Sequence, residues 1–146
     1  MKKKIIFLLL GFAIFTTTKS TAQTYFDQAV GLRGGFGLLG AATYKKYVNA
    51  SDAVEAIVGL NEGFFNVGGA YQRHIAISDG FDWYFGGGAS LAIYDGNISI
   101  GIQGYLGLQY VFDDIPLNLT LDWVPSFIGG TFAPNGGNIG IRYILD

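Results

Sequence analysis

Apolar and polar positions alternate with a period of two along most of the chain. From Ile98 to Phe112 the even-numbered positions are Ile98, Ile100, Ile102, Gly104, Leu106, Leu108, Tyr110 and Phe112. The odd-numbered positions are Ser99, Gly101, Gln103, Tyr105, Gly107, Gln109 and Val111. Alternation on this scale predicts one long β-strand with an apolar face and a small or polar face. Leu117, Leu119, Leu121 and Trp123 likewise oppose Asn118, Thr120 and Asp122, and Ile139, Ile141, Tyr143 and Leu145 oppose Gly140, Arg142 and Ile144. The same pattern runs through Val30 to Phe36 and Trp83 to Tyr94, and no stretch after the first residues carries a helical period.

The pattern predicts eight strands: Ala29–Leu38, Gly40–Val48, Ala53–Leu60, Phe64–Ile77, Phe81–Tyr94, Ile98–Phe112, Leu117–Phe127 and Asn138–Leu145. Turn formers separate nearly all of them, among them Asn49 to Asp52, Asn61-Glu62-Gly63, Ser78-Asp79-Gly80, Asp95-Gly96-Asn97 and Asp113 to Pro116. The break at Leu38-Leu39 lacks a strong turn signal, and Ile128 to Gly137 reads as the longest loop.

Composition decides which face meets water. Hydrophobic residues make up 50% of the chain and charged residues only 14%, against about 25% charged in an ordinary soluble domain. A water-facing sheet surface carries Lys, Glu and Arg that block edge pairing and aggregation. The polar face here is mostly Gly, Ser, Thr, Gln and Asn, which suits a narrow interior, so the apolar face is expected to point outward into lipid. Strands can do this only in a closed sheet, because an open edge would leave backbone groups unpaired in hydrocarbon. The expected fold is therefore all-β, a closed eight-stranded antiparallel up-and-down transmembrane β-barrel.

The first residues agree with export. Lys2, Lys3 and Lys4 precede an apolar run from Ile5 to Phe15 and then Thr- and Ser-rich residues ending at Ala22, the layout of a cleaved signal peptide over 1–22. The run is too short for a membrane-spanning helix, which needs about 20 apolar residues. The barrel domain would occupy 23–146. Without the four lysines of the leader, five Lys+Arg face 11 Asp+Glu, an acidic balance that disfavours nucleic acid as a partner. There is no cysteine for a lipid anchor or a disulfide framework.

Threading the strands from a periplasmic amino terminus places Trp83, Tyr110, Phe112 and Tyr143 near the periplasmic rim. Phe36, Phe65 and Trp123 then fall near the outer one. Such interfacial aromatic belts are what the water–lipid boundary selects. The alternation turns four charges inward, Arg33, Glu55, Asp122 and Arg142. Buried charges need partners, and an Asp122–Arg142 pair with Arg33 nearby is expected. In so narrow a barrel these residues read as a polar plug, with a gate or ion path as the functional alternative.

At the carboxy terminus, Asn138, Gly140, Tyr143 and Leu145 stand where the terminal assembly signal of Gram-negative outer-membrane barrels has a polar residue, a glycine, an aromatic and a final hydrophobic residue. The family pattern usually ends on an aromatic, whereas this chain ends Leu145-Asp146. With the signal peptide and eight strands, the chain resembles the small eight-stranded outer-membrane proteins of the OmpX-like and OmpA-barrel-like group. The resemblance implies insertion by the barrel assembly machinery and residence in the outer membrane. It implies no single activity, because function lives in sites rather than folds.

Other candidate chemistry is thin. Gly35 to Gly40 matches G-x-G-x-x-G, but a strand rather than a helix follows it, and one match is expected by chance among 23 glycines. His74, the one histidine, lies near Ser78 and Asp79, a combination from which a lipid-modifying hydrolase could be imagined. Ala76 stands where the lipid A deacylase pattern has its serine, so a lumenal or interfacial histidine is the simpler reading. The Asn-x-Ser/Thr triplets at Asn49, Asn97 and Asn118 read as chance, with Asn118 facing the lumen. No catalytic, cofactor or metal site is expected. The expected role is structural or surface-interacting, with a small pore, a solute-binding barrel, a lipid-modifying enzyme and a soluble lipocalin-like barrel as rivals.

Overall fold

A computed structural model describes residues 26–36 and 38–145; the expected signal peptide and its cleavage after Ala22 lie outside the described residues. Ten strands follow in order: β1 (Gln28–Phe36), β2 (Leu38–Tyr47), β3 (Asp52–Asn61), β4 (Phe64–Ser78), β5 (Phe81–Tyr94), β6 (Asn97–Val111), β7 (Leu117–Trp123), β8 (Ser126–Ile128), β9 (Thr131–Ala133) and β10 (Gly137–Ile144). Strands β1 to β7 and β10 form a closed eight-stranded antiparallel barrel. Each pairs with its sequence neighbour, β7 pairs with β10, and β10 returns to β1.

Closure follows from register. Leu32 opposes Ile141 and Arg33 opposes Gly140 across the β1–β10 seam, so the alternation of the last strand is in phase with that of the first. A one-residue slip would turn Arg33 and Arg142 outward. Tight turns join the strands. Gly63 (φ 85°), Gly80 (φ 76°) and Gly96 (φ 77°) adopt the left-handed conformation that such turns require. At the β2–β3 turn, Asn49 Oδ1 accepts hydrogen bonds from the backbone N–H of Ser51 (2.9 Å) and Asp52 (2.8 Å).

Observed strand limits differ most from expectation at the seventh strand and the loop after it. Strand β7 stops at Trp123 instead of Phe127, because Pro125 has no N–H to give to the ladder. Pairing with β6 nevertheless resumes in the same register, with Gln103 opposite Ser126 and Gly101 opposite Ile128, and Pro125 O accepts from Gly104 N at 2.9 Å. The expected long loop is instead a hairpin. Strands β8 and β9 pair from Ser126↔Ala133 to Ile128↔Thr131 around Gly129 (φ 58°) and Gly130 (φ 85°), whose positive φ at both central positions fits a tight hairpin turn. This hairpin stands at the end of the barrel opposite the described chain ends, called here the far end.

Outward positions are apolar and exposed: Ile100 is 71% accessible, Ile139 66% and Leu32 65%. Inward positions are buried and largely polar, with Arg142 at 1%, Glu55 at 2% and Gln72, His74, Tyr84 and Asn118 at 0%. Small residues make room for this filling. At Gly107 an added Cβ would lie 2.6 Å from Tyr84 Cζ and 2.7 Å from Asp122 Cβ. Gly107→Val is therefore expected to displace Tyr84 and to destabilise the barrel by about 1–3 kcal/mol, as overpacking does. Equilibrium urea unfolding would read this as a lower midpoint, and an unchanged midpoint would mean that Tyr84 is not held against β6.

Candidate functional site

Eight strands enclose a lumen that side chains can fill. At the end near the chain termini, Phe26 packs edge-on against Tyr47, with ring centroids 5.0 Å apart, in an apolar cluster with Ala29, Ala53 and Val111. Above it, His74 Nδ1 lies 2.6 Å from Asp82 Oδ2, and the His74 ring stacks on Tyr84 at 4.8 Å. Gln109 Nε2 donates to Tyr47 Oη (2.9 Å) and to Asp82 Oδ1 (3.3 Å). Lys45 Nζ stands 4.6 Å above the Tyr84 ring and donates to Gln109 Oε1 at 3.4 Å.

At mid-height the charges form a chain of alternating sign. Arg33 Nη2 donates to both oxygens of Asp122 at 2.7 Å, and Arg33 Nη1 donates to Glu55 Oε1 at 3.2 Å. The same Glu55 oxygen accepts from Arg142 Nη2. Neutral partners hold the chain at both ends and at Glu55. Tyr84 Oη donates to Asp122 Oδ2 (2.5 Å), Gln72 Nε2 donates to Glu55 Oε2 (2.9 Å), and Arg142 Nη1 donates to Asn118 Oδ1 and Thr120 Oγ1, both at 3.2 Å. The structure thus brings Arg33, Glu55, Asp122 and Arg142 into one network.

The expected Asp122–Arg142 pair does not form. Asn118, not Asp122, lies opposite Arg142 in the β7–β10 register, whereas Asp122 lies opposite Asn138. Four residues of strand, about 13 Å at roughly 3.3 Å per residue, separate the two positions, so Arg33 takes Asp122 and Arg142 reaches across the lumen to Glu55. Lys45 and Asp82 also face inward, and the sequence reading did not name them. The signal was present: Lys45 shares parity with Ala41, Thr43 and Tyr47, and Asp82 with Tyr84 and Ser90, all buried.

The imagined Ser/His/Asp combination is dispersed. His74 is buried against Asp82, whereas Ser78 and Asp79 are exposed at the β4–β5 turn. Gly35 and Gly40 fall on β1 and β2, with strand on both sides of the junction. The four terminal-strand positions lie on β10 or just beyond it. Asn138 and Gly140 face inward, and Tyr143 and Leu145 are exposed. Of the aromatics, Trp83, Tyr110, Phe112 and Tyr143 lie near the end of the chain termini. Tyr110 and Phe112 meet edge-on at 5.0 Å, and Trp83 packs by Phe85 at 5.4 Å. Trp123 lies at the far end and donates from Nε1 to Pro134 O at 2.6 Å.

Above Arg33 and Tyr105 the filling stops. The far half of the lumen holds a cavity of about 350 Å³ that reaches up to the β8–β9 hairpin. The molecule is thus an eight-stranded barrel closed by an ionic plug in one half and hollow in the other. No family model, characterised protein or solved structure matches the chain.

The two candidate pairings are separable by double-mutant cycles. Arg33→Leu leaves Asp122 buried without its cation and should cost about 3–5 kcal/mol. The Arg33/Asp122 cycle should give a coupling well above 0.5 kcal/mol, the level to which independent sites add, and larger than that of Arg142/Asp122. The reverse order would restore the pairing expected from the sequence.

Proposed function

We propose that this chain is an integral outer-membrane barrel of the small eight-stranded, OmpX-like and OmpA-barrel-like kind, with a structural or surface-interaction role. The observation that carries the reading is the continuous apolar outward face, with Leu32, Ile100, Ile102, Leu121 and Ile139 all strongly exposed. In water this surface would far exceed the few hundred Å² of contiguous apolar patch that soluble monomers tolerate. In a bilayer it is the expected surface of a spanning barrel. The aromatics at the two ends suit the two interfaces, and the tight turns leave the β8–β9 hairpin as the main feature for a surface contact. Assembly by the barrel machinery, export by a cleaved leader and burial in outer-membrane lipid belong to this proposal. The burial of the Asp122–Arg33–Glu55–Arg142 chain, whose four side chains are each 2% exposed or less, supports a barrel that does not conduct.

Outer-membrane fractions run with and without boiling test the reading. A urea-resistant membrane pool whose gel mobility changes on heating is expected, together with planar-bilayer recordings that lack discrete conductance steps. Release into the soluble fraction would contradict the membrane assignment, and regular steps would contradict the plug.

A further inference from the structure

The far-half cavity is built differently from the plug beneath it. Its floor is Arg33 and Tyr105, and both terminal nitrogens of Arg33 are already committed to Asp122 and Glu55. No Asp, Glu, Lys or His lines it, and the charge of Arg33 is offset by Glu55 and Asp122, which leaves only its Nε without a partner, so a charged guest would lose its hydration without meeting an uncompensated counter-charge. Just above the floor, two carboxamide oxygens have no donor. They are Asn138 Oδ1, on a residue only 7% exposed, and Gln103 Oε1, whose amide is fixed by donation from Nε2 to Ser90 Oγ at 2.7 Å. Buried acceptors of this kind demand a donor. Toward the mouth Leu38, Phe64, Val124 and Ile128 share the lining with Asn61, Asn66 and Asn135.

We infer that this cavity is a binding cup for a small uncharged amphiphile that enters with its polar end first. A hydroxyl or amide N–H donates to Asn138 and Gln103 at the bottom once their carboxamides turn toward it, and a short apolar body lies against Leu38, Val124 and Ile128. The volume of about 350 Å³ falls at the lower end of small-molecule sites, about 300–1,000 Å³, which sets the size of the guest. The ionic plug is then a floor that rejects ions and holds the cup open by tying four barrel strands together. The inference goes beyond the membrane reading and rests only on the closed barrel, so the two can fail separately.

The test uses the folded protein in phosphatidylcholine nanodiscs, or in buffer should it stay in the soluble fraction, titrated with 1-hexanol, hexanoate and hexylammonium. The side-chain amide resonances of Asn138 and Gln103 are followed by NMR. Hexanol should shift both resonances saturably, with the two ions at least tenfold weaker. Asn138→Leu, which removes one acceptor, should weaken hexanol about fivefold or more, the loss typical of one hydrogen bond. Ile57→Trp should fill the cup and abolish the response at Gln103, and Val124→Phe provides a second filler should the first variant not fold. No saturable shift with hexanol, an equal response to the ions, or an undiminished response in a folded filler variant would overturn the inference. None of these outcomes bears on heat-modifiable mobility, which reads membrane insertion independently.

Discussion

Putting Arg33, Glu55, Asp122 and Arg142 on the inner side of a single-layer sheet commits the outer side to everything apolar. A barrel of eight strands has no second layer to bury its hydrophobic residues against, so polarity must be divided between lumen and surroundings. Here the charges take the inside, where each would cost several kcal/mol if left alone. The solution is a chain of alternating sign that joins β7, β1, β3 and β10. Shape follows from the same choice: glycines at positions such as Gly107 admit Tyr84 to the Asp122 carboxylate, and Tyr84 in turn supports His74 and Lys45.

The plug also sets what the remaining volume can do. Because the Arg33 terminal nitrogens are saturated from below, the space above them is polar through amide and hydroxyl groups and the one unpartnered Arg33 Nε. A site lined by apolar and carboxamide side chains above a saturated ion-pair network differs from an ion channel, whose conduction needs a continuous hydrated path. The β8–β9 hairpin lies over this space and contributes Ser126, Ile128 and Ala133 to its lining. Its position is fixed by pairing to β6 across Pro125, so surface feature and cup are parts of one structure.

Much of the fold was legible because period two is a strong signal when one face is uniformly apolar. The limits of β5 fall where the alternation places them, at Phe81 and Tyr94. The exception, Leu117 to Phe127, shows the limit of the pattern: Pro125 interrupts the ladder without changing its direction, and the first six residues of a stretch that reads as a loop, Ile128 to Ala133, belong to a hairpin around Gly129-Gly130. Inside the lumen, parity tells which residues face each other but not at what height. Asp122 and Arg142 share a face and neighbouring strands, yet the β7–β10 register sets them four residues apart, and a bulge between Arg33 and Gly35 further shifts β1 against β2. The cavity left no sequence signal, because its lining is drawn from nine strands that meet only once the barrel closes.

The polarity division itself is open to direct measurement. A nitroxide placed in turn at Leu121 and Ile141, both outward on adjacent strands, can be probed in lipid bilayers for collisions with molecular oxygen and with a water-soluble nickel chelate. Collisions dominated by oxygen at both positions are expected for a face in hydrocarbon. Collisions dominated by the nickel chelate would place that face in water and contradict the membrane barrel.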